Sequence, residues 1–164
     1  MATRNVTMVV DREHAKEHSE GFAADPCVYT DNSYVNMYLH HDGYPEWQGV
    51  QLANWCHANA RQDGSAIAAK LVHDHYYDSC YLYADPDNID HNYTYVIWTG
   101  DNKDMWVSCY DQYHNANVFV LTPDKILAKY SNQKYSYTDF ATQTRSQQEK
   151  QYVAKDLLHP SGYD

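Results

Sequence analysis

YVNMYLHHDGYPEWQGVQLANWCHANAR, residues 34–61, changes its period once, and that change decides the fold. Its first residues alternate. Val35, Met37 and Leu39 share one face while Tyr34, Asn36, Tyr38 and His40 share the other, as in a strand with one buried side. The chain is expected to turn at Asp42-Gly43-Tyr44-Pro45, with Gly43 supplying a positive φ and Pro45 presetting the first helical residue. From Glu46 the spacing is helical. Gly49, Leu52, Ala53, Cys56 and Ala60 form a narrow small-residue face suited to lying close on a sheet, and Val50, Asn54, His57 and Arg61 run beside it.

Outward from this unit, residues 3–10 (TRNVTMVV) read as a strand with Arg4, Val6, Met8 and Val10 on one side and Asn5, Thr7 and Val9 on the other. Residues 11–26 are charged and hold at most one short helix. After Gln62, an Asp-Gly pair breaks the central helix and Ser65 is expected to cap the next. There Ile67, Ala68, Leu71, Val72 and His75 repeat on one face, which makes His75 a core histidine and leaves His73 and Asp74 to solvent. Three strands are expected over 93–99, 105–110 and 117–121, with a shorter one at 81–83. Residues 100–104 form a hairpin loop, so the strands on either side of it are antiparallel. Thr122 and Pro123 open a further helix. The fold class is α+β: one mostly antiparallel sheet, helices packed on one face, and Tyr34, Tyr38 and His40 on the other. Residues 1–131 form the core domain, and 132–164 a polar helical extension through which the chain is expected to self-associate.

Composition narrows the function. With 12 Lys+Arg against 22 Asp+Glu, the net charge of −10 sets a repulsive average field against a long nucleic acid, since Lys/Arg neutralisation of phosphates supplies most non-specific affinity. A small anion held by one or two arginines is still compatible, because a pocket's field is local. No run of about 18 apolar residues predicts a membrane span, and the start of the chain has no charged-then-apolar leader. Cys27, Cys56, Cys80 and Cys109 make no CxxC pair and read as free thiols of a reduced, cytoplasmic protein, with no metal and no cofactor expected. The 17 Tyr, 10 His and 4 Trp stand beside only 3 Phe. Rings with polar tips suit a surface packed at one end and open to solvent or a ligand at the other.

Two short signatures resemble a group of small accessory proteins of tailed bacteriophages and some bacteria. One is the Thr-Arg strand near the initiator Met, here Thr3-Arg4-Asn5-Val6. The other is a strand ending in a Tyr-x-His-Trp-Asp-Gly-Tyr-Pro-like motif, here Tyr38-Leu39-His40-His41-Asp42-Gly43-Tyr44-Pro45. A later Trp106-Val107-Ser108 core is also similar, and the resemblance spans roughly the first 120 residues. His41 stands where that group carries Trp, which removes a stacking indole, and the 11–27 segment is longer than the group's usual hairpin. The resemblance implies a phage accessory context. By analogy with small phage proteins that sequester nucleotide second messengers, it implies interference with host defence.

The residues themselves allow three functions. In the first, a nucleotide-like anion is captured without turnover. Tyr38, Tyr44 and Trp47 would stack on it or wall it, Arg4 and Arg61 would pair with its phosphates, His40 and Asp42 would fix the turn and read the base, and His57 would lie alongside. In the second, His40 and Asp42 serve a hydrolase or phosphodiesterase as base and orienter, although no HExxH, GxSxG or P-loop accompanies them. In the third, an acidic, aromatic surface masks a host protein.

Overall fold

The computed structural model of the chain describes residues 3–19, 32–59, 63–76, 80–85, 89–100 and 104–130. Arg61, Cys27 and the 132–164 extension lie outside these residues. Among them, six strands form one sheet in the order β3-β2-β1-β4-β5-β6. The strands are β1 (Asn5–Val9), β2 (Asn36–Leu39), β3 (Tyr81–Leu82), β4 (Tyr93–Thr99), β5 (Met105–Asp111) and β6 (Ala116–Leu121). The helices are α1 (Arg12–Ser19), α2 (Val50–Ala58), α3 (Gly64–His75) and α4 (Pro123–Tyr130). The α+β class expected from the sequence is the class observed.

β1 lies centrally, antiparallel to β2 and parallel to β4, and every other pairing is antiparallel. The alternation read in β1 and β2 holds residue by residue. Val9, Met37 and Leu39 join Tyr95, Ile97, Val107, Cys109 and Phe119 under Leu52, Ala53 and Cys56 of α2, Ile67 and Leu71 of α3, and Ile126 of α4. Val6, Met8, Val10 and Tyr38 face the other way with Val96 and Trp98. Apolar burial on both faces explains why β4 reads as a nearly continuous apolar run rather than an alternating one. Helix placement differs from expectation in one respect: α1 sends Ala15 into this second layer, so one helix crosses to the face that Tyr38 occupies.

At the 42–45 turn the residues divide their work differently from the expected pattern. Asp42, not Gly43, takes the left-handed conformation, at φ 57°, which Asp tolerates better than most side chains. Gly43 is needed for space. A Cβ there would lie 2.8 Å from both the Thr3 carbonyl and the Asn5 side chain. Its N–H donates to Thr3 O at 2.8 Å, and its carbonyl accepts from the Tyr95 hydroxyl at 2.6 Å. Pro45 does open the helix, but the first turn, Pro45–Gly49, is π-helical before α2 continues it. Gly49 lies in ordinary contact with Phe119 and Tyr95, as the small-residue face required. Val50 and Asn54 of the neighbouring stripe are buried too.

α3 is capped by Asp63 rather than Ser65: Asp63 Oδ1 accepts from Ser65 N at 3.0 Å and Ser65 Oγ at 2.8 Å. His75 is a core histidine, its Nδ1–H donating to Leu71 O at 2.8 Å. Asp74, expected in solvent, is instead mostly buried and accepts from Trp55 Nε1 at 2.9 Å and Lys70 Nζ at 3.0 Å. Burial works to raise its carboxyl, but those donors outweigh it and its pKa lies below the ordinary value.

Candidate functional site

The side of the sheet away from α2, α3 and α4 carries a polar aromatic patch where β3, β2 and β1 run side by side. Its floor is Tyr38, 8 % exposed. Tyr38 pairs across the strands with Tyr81 on β3 and Val6 on β1, so the register fixes what surrounds its ring. Tyr81 and Tyr83 stand two residues apart and therefore on the same face. Their ring centroids lie 6.2 and 5.7 Å from that of Tyr38, the second edge-on at 85°. These outer rings are open, Tyr81 at 55 % and Tyr83 at 42 % exposure. Asn36, buried on β2, holds the far end in place: its Nδ2 donates to Tyr83 O at 3.0 Å, and its carbonyl accepts from Tyr83 N at 3.1 Å.

Toward the other end of the strands the patch becomes polar. The Tyr38 hydroxyl lies 2.8 Å from His40 Nδ1. In the Nε2–H tautomer of a neutral imidazole Tyr38 donates to Nδ1, and in the Nδ1–H tautomer it accepts. His41 packs edge-on against His40, with centroids 4.6 Å apart. Asn5 is the partner of Leu39, so the register carried one residue back brings Arg4 alongside His40. Burial pushes the Tyr38 phenol up, and the nearby Arg4 guanidinium acts in the opposite direction. Arg4 Nη1 pairs with Asp90 Oδ2 at 3.1 Å, while its Nε is buried with no hydrogen-bond partner among the described residues.

Of the residues expected at the site, Arg4, Tyr38 and His40 are therefore brought together. The others are placed differently. The His40 ring bonds Tyr38 rather than Asp42, and Asp42 serves the turn through its backbone. Tyr44 precedes the π-helical turn, its carbonyl accepting from Trp47 N and Gln48 N. Trp47 lies within that turn, whose Gly49 packs on the helix-covered face. His57 is drawn to α4, its Nε2 2.7 Å from Asp124 Oδ1. Arg61 lies outside the described residues. Tyr81, Tyr83 and Asn36 were not anticipated. The YLY alternation marked a short strand, but only its pairing with β2 puts both rings over Tyr38.

Comparison with family models, with curated proteins and with solved structures returned no match for this chain. Its chemistry is thus read from the patch itself.

Among the described residues no group of three or more His, Cys, Asp or Glu is placed to hold a metal ion, and no helix is long and apolar enough to cross a membrane. Burial pushes the Cys56 and Cys109 thiols well up, which keeps both protonated and inert at neutral pH. What the patch does offer is ring faces, a phenol, an imidazole and a guanidinium within one residue grid.

Proposed function

We propose that this protein captures a small nucleotide-like anion on the Tyr38 patch and holds it without turnover, as a phage-type counter-defence device. The carrying observation is the arrangement of Arg4 and His40 one strand row away from Tyr38 and Tyr81, with Tyr83 one row further on. Successive same-face rows of a strand are about 6.5–7 Å apart. That spacing suits a ligand whose flat base rests on the rings while its phosphate reaches the cationic end. Stacking contributes roughly 1–3 kcal/mol per base, and a guanidinium–phosphate hydrogen bond is stronger than a neutral one. The net charge of −10 disfavours long polyanions, while the field at the Arg4 end is local.

Calorimetric titration with a panel of cyclic dinucleotides, ADP-ribose and AMP tests the proposal. The expected outcome is saturable binding of at least one, recovered intact after denaturation. Recovery of cleaved product would instead favour the hydrolytic reading, which draws support from the Tyr38–His40 pair, an imidazole oriented at one nitrogen and open at the other. Absence of binding across the panel, with a basic host protein captured instead, would favour the masking function. Self-association through residues 132–164 is tested separately by sedimentation of the full chain.

A further inference from the structure

We propose that Asp90 is a built-in competitor for the Arg4 guanidinium, an acidic stand-in that the ligand's phosphate must displace. This rests on the capture reading for its biological meaning, but its chemistry concerns only Arg4 and its anion.

Three observations carry it. First, the Asp90 carboxylate already occupies one edge of the guanidinium, Oδ2 to Nη1 at 3.1 Å. A carboxylate and a phosphate present oxygens to Arg in the same fork-like geometry, so the observed partner marks where an external oxyanion would sit. Second, Arg4 is anchored through its backbone N and O and its side chain is 37 % exposed, while the Asp90 side chain is 94 % exposed. Arg4 cannot readily follow a departing partner, but Asp90 can rotate into water at little cost, since an exposed ion pair contributes only about 0–1 kcal/mol. Third, the backbone around Asp90 is fixed even though its side chain is exposed. Asn92 N donates to Arg4 O at 2.9 Å, and Asn92 Oδ1 accepts from Arg4 N at 3.1 Å. His91 Nδ1–H donates to Ile89 O at 2.8 Å, and the Thr94 hydroxyl, 2.7 Å away, donates to its Nε2 while accepting from Gln112 Nε2. Asp90 is thereby tethered beside Arg4 whether or not the two are paired, so its charge always stands at the mouth of the cationic end.

The monodentate contact gives the exchange a direction. Asp90 reaches only Nη1. A phosphate, with three oxygens available, can satisfy Nη1 and a second donor together.

The test compares the full chain with its Asp90→Asn and Arg4→Gln/Asp90→Asn variants, titrated calorimetrically with pyrophosphate, then with AMP and adenosine, the Arg4 Nε–Hε resonance being followed in the two proteins that keep Arg4. Asp90→Asn is expected to bind pyrophosphate about three- to tenfold more tightly than the parent at low salt, with the gap closing as salt rises. The double variant loses the gain, and adenosine is unaffected by either change. Equal pyrophosphate affinity for parent and Asp90→Asn overturns the competitor role. A gain for pyrophosphate with no nucleotide bound by either protein leaves the competitor standing and removes the capture reading.

Discussion

The hydroxyl of Tyr95, wholly buried beneath the helices, donates to the carbonyl of Gly43 at 2.6 Å. One bond thus ties the middle of the fourth strand to the turn between the second strand and the central helix. The same glycine receives the first strand through Thr3. The turn is consequently a junction of three strands, and the Tyr38 patch hangs from its far side.

Tyr95→Phe leaves that carbonyl without its donor in a dry place. A loss of about 1–3 kcal/mol is expected, read as a lowered urea midpoint. Gly43→Ala forces a Cβ against the Thr3 carbonyl and is expected to cost a similar amount through overpacking. Unchanged midpoints in both would show that the junction tolerates rearrangement.

Asp74 sets an acid limit on stability. Its folded carboxyl binds its proton less tightly than an unfolded one, whose ordinary pKa is 3.8. Its contribution is therefore complete above that ordinary value and falls away as pH drops through the lower folded value. Asp74→Asn is expected to be less stable than the parent at pH 7, with the difference shrinking below about pH 4. A constant gap from pH 7 to pH 2 would contradict this.

His57→Ala separates packing from function. The His57–Asp124 pair is exposed on both sides, so the change is expected to cost no more than about 1 kcal/mol and to leave ligand affinity untouched. A loss of binding would bring His57 back into the site.

Tyr38→Phe removes the partner of His40 Nδ1 while keeping the tilted and edge-on ring contacts with Tyr81 and Tyr83. The imidazole's tautomer balance, read from its ¹⁵N shifts, is expected to change while the melting midpoint moves little. No change in those shifts would mean that Tyr38 does not orient His40.

Much of this arrangement was legible in the chain because it depends on local periodicity. The alternation at 34–40 and 3–10 assigns every side chain of β1 and β2 to the face it occupies, and the small residues of α2 mark its buried side. Requirements set by distant residues were not legible. Gly43 is needed because of Thr3 and Asn5, some forty residues upstream, and not because of its own φ. Asp74 is buried by Trp55, which sits on a different helix. The site moved for the same reason. A strand end and the following turn are adjacent in sequence, but Tyr38 lies on the face away from α2, whereas the turn carrying Trp47 leads into α2 and packs its Gly49 on the opposite face. Tyr81 and Tyr83 join Tyr38 through strand pairing, which no local pattern announces.

The most direct test of ligand capture on the Tyr38 patch is titration of Tyr81→Ala/Tyr83→Ala beside the parent, using whichever nucleotide of the panel the parent binds. Both rings are largely exposed, so the melting midpoint is expected to stay within a few degrees. Affinity is expected to fall at least tenfold, as loss of stacking on two rings requires. Parent-like affinity in this variant would contradict capture on the patch.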